Sequence, residues 1–153
     1  MVRRGGARET GEQTSFVTVV PEASVNVVGI GMDAVELDRF RLALARRAGL
    51  KDRLFSDAER SYSERKTDPT ERYAARFAAK EAVMKAMGVG LWKFKLRDVE
   101  VAKARSGAPS IRLHGRAAEM AVERGITGWL LTMTHTEKTA FAIAVALREV
   151  SAP

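Results

Sequence analysis

Four side chains in this sequence are of types and in settings that can do chemistry: Asp33, Glu81, Lys85 and His135. Glu81 lies in Arg72-Tyr-Ala-Ala-Arg-Phe-Ala-Ala-Lys-Glu-Ala-Val-Met-Lys-Ala-Met87, a segment with the periodicity of a helix. Stepping about 100° per residue around it separates three faces. Ala75, Ala79, Ala82, Val83 and Ala86 form a small-residue face suited to close packing on a sheet. Arg72, Arg76 and Lys80 form a basic edge. Glu81 sits among Ala74, Phe77, Ala78 and Met84, with Lys85 as the nearest charge. A carboxylate on a partly apolar face needs a partner, because burying it unpaired is costly. Lys85 would satisfy it as an ordinary i,i+4 pair worth a few tenths of a kcal/mol. A metal ion would satisfy it too.

Asp33 follows the glycines that end Val25-Asn-Val-Val-Gly-Ile-Gly31, where backbone can approach a ligand closely. The same position also suits an N-cap for the next helix. His135 alternates onto one strand face with Trp129, Leu131 and Met133, a setting in which a hydrogen-bonded core histidine is commoner than a catalytic one. Two carboxylates from separate elements, with no cysteine and two histidines in the chain, favour a hard cation with oxygen ligands. Mg²⁺ suits such a set, since it takes one or two carboxylates and completes its shell with water and substrate phosphates. The cations Arg76, Lys80 and Lys85 around such an ion would suit a diphosphate. Without it they are a solvated helix face.

These groups must be positioned by a chain of 153 residues, enough for one domain with a real core. Residues 1–24 read as a flexible N-terminal extension, with the domain proper over 25–150. Val25–Gly31 reads as a buried strand, and Val35 to about Arg47 as a helix presenting Val35, Leu37, Phe40, Leu42 and Leu44. Ser56-Asp-Ala-Glu59 is a capping box opening a helix to about Lys66. Asp68-Pro-Thr-Glu71 opens the long helix, with Asp68 as N-cap and Glu71 closing a second box, and Gly88 and Gly90 end it. Asp98–Ala104 and Ser110–His114 read as strands, Arg116–Arg124 as a helix, and Trp129–His135 with Thr139–Leu147 as a hairpin. The expected fold class is α+β, with helices packed on one face of a mostly antiparallel sheet.

The formal net charge of +7, from 26 Lys and Arg against 19 Asp and Glu, steers the protein toward an anionic partner. No apolar run reaches the roughly 18 residues of a membrane span, and no signal-peptide pattern opens the chain. No nucleic-acid motif accompanies the charge, so a basic nucleic-acid-binding domain is the weaker reading. The absence of cysteine fits a cytoplasmic setting.

Val28-Gly-Ile-Gly-Met-Asp33 with Glu36-Leu-Asp-Arg-Phe40, then Arg76-Phe-Ala-Ala-Lys-Glu-Ala-Val-Met-Lys-Ala86 with Gly88, then Thr132-Met-Thr-His-Thr136, occur in the order of three family signatures. Together they resemble the holo-acyl-carrier-protein synthases, the small 4'-phosphopantetheinyl transferases, over about Val25 to Leu147. The resemblance implies transfer of 4'-phosphopantetheine from coenzyme A to a serine of an apo acyl carrier protein, releasing adenosine 3',5'-bisphosphate. It makes Asp33 and Glu81 ligands of Mg²⁺, with Lys85 and His135 beside them in the catalytic set. It implies contacts with coenzyme A from Arg76, Lys80, Lys85, Gly88, Pro109, His135 and Thr136. Arg39, with Arg41, Arg46 and Arg47, would dock the acidic carrier protein. The resemblance also implies a homotrimer with active sites between subunits, in which Asp33 and Glu81 can belong to different chains. It leaves a non-catalytic coenzyme A or carrier-binding member as the other alternative, which the retention of Asp33, Glu81, Lys85 and His135 disfavours. Two departures stand out: the N-terminal extension, and Ala108 where the family often has a basic residue.

Overall fold

The computed structural model describes residues 24–150, so the expected extension lies outside the described residues apart from Ser24. The order is β1 (Val25–Glu36), α1 (Leu37–Arg46), α2 (Leu50–Leu54), α3 (Asp57–Ser63), α4 (Thr70–Ala86), a 3-10 turn (Leu96–Asp98), β2 (Val99–Lys103), β3 (Pro109–Leu113), α5 (Gly115–Glu123), β4 (Gly128–His135) and β5 (Thr139–Glu149). One sheet has the order β1-β5-β4 and a separate hairpin joins β2 to β3, with every pairing antiparallel.

The register divides the larger sheet into two chemically different faces. Ala140, Ala142, Ala144 and Ala146 of β5 point inward and are buried, level with Val35, Asp33, Gly31 and Gly29 of β1. These short side chains let α4 lie against the sheet through its own Ala79, Ala82, Val83 and Ala86. The approach is so close that a Cβ added to Gly31 would stand 1.9 Å from the Ala82 carbonyl oxygen, and one added to Gly29 would stand 2.0 Å from that of Ala86. The small-residue face of α4 therefore fixes the helix at backbone distance from β1, where Asp33 is the next inward residue.

Several boundaries differ from expectation for definable reasons. β1 does not stop at its glycines. Its pairing with β5 continues to Glu36 opposite Thr139, and the Leu37 amide donates to the Lys138 carbonyl. Asp33 is thus a strand residue and not an N-cap, and Val35 belongs to the sheet. α1 begins at Leu37 and buries Leu37 and Phe40, while Leu42 is exposed. The capping box of Ser56 and Glu59 is present, but α3 ends at Ser63. At the start of α4 the N-cap is Pro69, whose carbonyl accepts from the Tyr73 amide. Asp68 instead accepts from the Thr70 amide at 3.0 Å, and hydrogen bonding from the Thr70 side chain first and its amide second, with Arg41 alongside, holds its carboxyl down at about 2. Glu71 makes no capping box and turns to Lys66 and His135. The expected strand from Asp98 loses its first residue to the 3-10 turn, and α2 was not anticipated.

Candidate active site

α4 carries two groups of candidate side chains on different faces, one centred on carboxylates and the other mostly cationic. Asp33 reaches up from β1, and Lys85 Nζ donates to its Oδ1 at 2.8 Å and to the Met32 carbonyl at 2.9 Å. The i,i+4 partnership of Glu81 with Lys85 therefore gives way to a longer-range one. Among the described residues the Glu81 carboxylate has no hydrogen bond or ion pair. Burial pushes its pKa above the ordinary carboxyl value, the charge of Asp33 adds to that, and Lys85 works against it. Asp33 and Glu81 of the same chain are thus near enough for the charge of one to act on the other.

A carboxyl whose folded pKa is raised binds more protons in the native than in the unfolded state. Stability then falls as pH rises through the interval from the ordinary carboxyl value to the raised one. Thermal unfolding of the metal-free protein should show this fall, and Glu81→Gln should remove it while holding or slightly raising Tm. An unchanged pH dependence in Glu81→Gln would show that Glu81 is not the strained group.

The acidic group suits a hard divalent cation. Asp33 Oδ1 and the Met32 carbonyl already converge on one positive charge, the Lys85 ammonium, with Glu81 adjacent. Among the described residues there is no cluster of three or more His, Cys, Asp or Glu. Two carboxylates without a protein cage are the donor set that Mg²⁺ commonly uses with substrate phosphates.

The second group lines a cavity of about 380 Å³ between the N-terminal half of α4, the β2–β3 hairpin and the end of β4. Arg72, Arg76, Lys103, Pro109, His135 and Tyr62 contribute to its wall. The guanidinium carbons of Arg76 and Arg72 lie 4.3 and 4.6 Å from the centre of the Tyr62 ring, and Lys103 Nζ lies 5.2 Å from it. Burial tends to raise the Tyr62 phenol, but the hydrogen bond to Lys103 and the charges of Lys103, Arg72 and Arg76 outweigh it, leaving a lowered pKa. Arg76 is 6% exposed, forms no ion pair among the described residues, and has a buried Nε without a hydrogen-bond partner. A buried cation short of a counter-charge, beside other cations, is a ready receptor for an anion. His135 faces Glu71, with Nε2 3.2 Å from its carboxylate.

The expected coenzyme A residues divide accordingly. Arg76, Pro109 and His135 line the cavity, and Lys85 belongs with Asp33. Lys80 does neither. It is fully buried, paired with Glu59 at 2.8 Å, and donates to the Leu96 and Val99 carbonyls. Burial lowers its pKa while Glu59 opposes the shift. It cannot reach a diphosphate from there, which corrects the phosphate-binding role expected for it. Gly88 ends α4 in a Schellman motif, with its amide on the Lys85 carbonyl and that of Val89 on Met84, and its φ of +66° accounts for the glycine. Thr136 Oγ1 accepts from the Lys138 and Thr139 amides and shapes the β4–β5 turn. Where Ala108 supplies no cation, Lys103 on the same hairpin does. Tyr62 and Lys103 were not singled out in sequence, because only the tertiary approach of α3 and the hairpin to α4 brings them to the site.

The arginines of α1 are not equivalent. Arg41 is held by Asp38 at 2.7 Å and Asp68 at 3.0 Å. Arg39, Arg46 and Arg47 form no ion pairs among the described residues and border a shallow groove with half-buried Ala43 and exposed Leu42.

The sequence profile of the 4'-phosphopantetheinyl transferase superfamily matches residues 29–146, a span that includes both groups. The chain belongs to this superfamily. It is 45% identical over 122 residues to the holo-[acyl-carrier-protein] synthase of Desulforudis audaxviator, covering 79% of this chain and 93% of that protein. The corresponding synthase of Solibacter usitatus is 45% identical over 113 residues, covering 72% of this chain and 90% of that one. Among solved structures, the holo-[acyl-carrier-protein] synthase of Neisseria meningitidis superposes with a TM-score of 0.72 at 30% identity, covering 79% of this chain and 98% of that one. The Bacillus anthracis enzyme in complex with CoA (3',5'-ADP) superposes at 0.67 and 29% identity, covering 80% and 98%. The α+β architecture is thus that of the family's transferases.

Proposed function

We propose that the protein is a Mg²⁺-dependent holo-[acyl-carrier-protein] synthase, transferring 4'-phosphopantetheine from coenzyme A to a serine hydroxyl of an acidic apo carrier protein in the cytoplasm. The observation that carries this reading is the Asp33–Glu81 pair, set around a cationic centre in a chain of this family. In the reaction the serine oxygen bonds to the β-phosphorus, the bond from that phosphorus to the bridging oxygen breaks, and adenosine 3',5'-bisphosphate leaves. The departing bisphosphate carries away the bridging oxygen, and the serine proton passes to solvent. Asp33 and Glu81 would hold the metal, which when bound supplies Lewis-acid stabilisation of the diphosphate. Lys85 adds a positive charge preorganised beside the same phosphates, where negative charge grows in the transition state. Arg72, Arg76, Lys103 and His135 would hold the nucleotide phosphate, and Arg39, Arg46 and Arg47 the carrier.

One chain does not present all of this to one ligand. Arg72 and Arg76 point about 180° and 140° around α4 from Glu81, and Glu71, which holds His135, lies about 15 Å along the helix axis from it. A coenzyme A bound at Glu81 therefore needs its nucleotide pocket from a neighbouring copy. The outer face of the β1-β5-β4 sheet supplies a surface for that copy. Met32, Ile143 and Thr132 are aligned across the three strands, followed by Ile30, Val145 and Leu130. Ile30 is 65% exposed, Met32 60% and Ile143 38%. A row of this kind on a β-sheet is a subunit interface in waiting. The assembly proposed is a homotrimer with shared sites.

Incubating the protein with coenzyme A, Mg²⁺ and an apo carrier protein should add phosphopantetheine to the carrier, followed by its mass. No adduct with any of several carriers would sink the transferase reading. Ile143→Glu should give a monomer by sedimentation and lose most activity. A monomer that keeps wild-type turnover would show that one chain suffices.

A further inference from the structure

The group beneath the nucleotide pocket has no place in the chemistry, yet among the described residues it is the most completely bonded charge pair. Glu59 and Lys80 are both essentially excluded from solvent and stand 2.8 Å apart. Glu59 Oε2 also accepts from the Ser56 amide at 2.8 Å, and its Oε1 accepts from the Val101 amide at 2.9 Å. Lys80 donates to the carbonyls of Leu96 and Val99 in addition to Glu59. Three backbone groups of the segment from Leu96 to Val101 are thereby tied to two side chains from α3 and α4. Replacing a buried pair of this kind by apolar residues often costs nothing, so stability alone is a weak reason for it.

What the pair touches suggests its use. Val101, whose amide Glu59 holds, lines the cationic cavity, and β2 continues from it to Lys103 before the turn that presents Pro109. Arg76 lies one helical turn before Lys80 on the same side of α4, within the field of Glu59. Since Lys80 stands directly against Glu59, the buried layer carries one carboxylate and two cations, with the excess on Arg76 at the cavity wall.

The geometry points to Glu59, with Lys80 as its counter-ion, as the positioning pair of the nucleotide pocket: it clamps β2 to α3 and α4 so that Lys103, Pro109 and Arg76 converge on an anionic phosphate. This inference rests on the transferase reading and adds to it the residues that set affinity for coenzyme A. Neither residue touches the ligand. The pair acts through the Val101 backbone and the hairpin it anchors, and it lies away from the Glu81 face of α4, so turnover of bound substrate should be nearly independent of it.

The test uses Glu59→Gln and Lys80→Met, with Met120→Ala in the buried face of α5 as a control for loss of stability unconnected to the hairpin. Binding of adenosine 3',5'-bisphosphate is measured by calorimetry well below each Tm, and KM for coenzyme A and kcat by carrier mass. Both pair variants should bind the nucleotide about 10-fold or more weakly and raise KM by a similar factor, with kcat within about 3-fold of wild type. Met120→Ala should lower Tm and leave binding alone. Wild-type affinity in Glu59→Gln, an equal loss in Met120→Ala, a fall in kcat without a change in KM, or failure of both pair variants to fold would each overturn the inference. Transfer fails separately from binding: a wild type that binds the nucleotide but modifies no carrier contradicts the transferase reading and leaves the pocket comparison intact. A wild type that does not bind the nucleotide removes the pocket, and the inference with it.

Discussion

Glu81→Gln and Asp33→Asn should each lower phosphopantetheine transfer by about 10³-fold or more while the protein stays folded. Each removes one negative charge and one oxygen donor from the proposed metal site, and a metal ion's Lewis-acid contribution of several kcal/mol corresponds to a loss of that order. The two variants should differ in stability. Glu81 is the carboxylate that burial and its neighbour disfavour, so its neutralisation relieves the native state. Asp33 is the one bonded to Lys85, so Asp33→Asn leaves that ammonium with the Met32 carbonyl and a weaker partner. Added Mg²⁺ should raise the Tm of the wild type and have little effect on either variant. Activity within tenfold of wild type in either would show that the pair is not the metal site.

Gly31→Ala should be among the most destabilising single methyl additions in the chain, by about 3 kcal/mol or more, with activity lost alongside. The added carbon would stand 1.9 Å from the Ala82 carbonyl oxygen and 2.6 Å from the Ala86 nitrogen, both backbone atoms of α4. No rotamer change relieves a clash with a helix backbone, so α4 must move away from β1. That motion separates Glu81 from Asp33, and a displacement of about 1 Å at reacting groups can itself cost about 100-fold in rate. Gly90→Ala, with nothing within 4 Å of the added carbon, is the matched control and should be nearly neutral. Denaturant unfolding of the two reads the difference directly, and equal stability would mean that the helix does not rest on the strand as described.

The same close approach explains what was readable in advance. The alanine stripe from Ala75 to Ala86 and the glycines of β1 are local patterns, and they foretold a helix lying tightly on a sheet. The capping box at Ser56 and the β4–β5 hairpin are likewise fixed by neighbouring residues. What was not readable depends on residues far apart in sequence. Lys80 and Arg76 are one helical turn apart and of the same charge. One is neutralised by Glu59, 21 residues away, and the other faces a cavity built partly by Lys103. Lys85 likewise leaves Glu81 for Asp33, 52 residues away, because β1 runs farther than its glycines suggest. The family signatures group Glu81, Arg76 and Lys80 by sequence, whereas the helix distributes them to three environments.

The proposed homotrimer places transfer where the acidic group of one chain meets the cationic pocket of another. Mixing two variants expected to be inactive tests it: Glu81→Gln, which lacks the proposed metal ligand, and the double variant His135→Ala, Lys103→Ala, which lacks two cations of the proposed nucleotide pocket. Randomly reassembled trimers should recover about a quarter of wild-type activity, because about one shared site in four then combines two intact halves. Activity no greater than that of the two variants measured separately would contradict a shared site and assign the whole of it to a single chain.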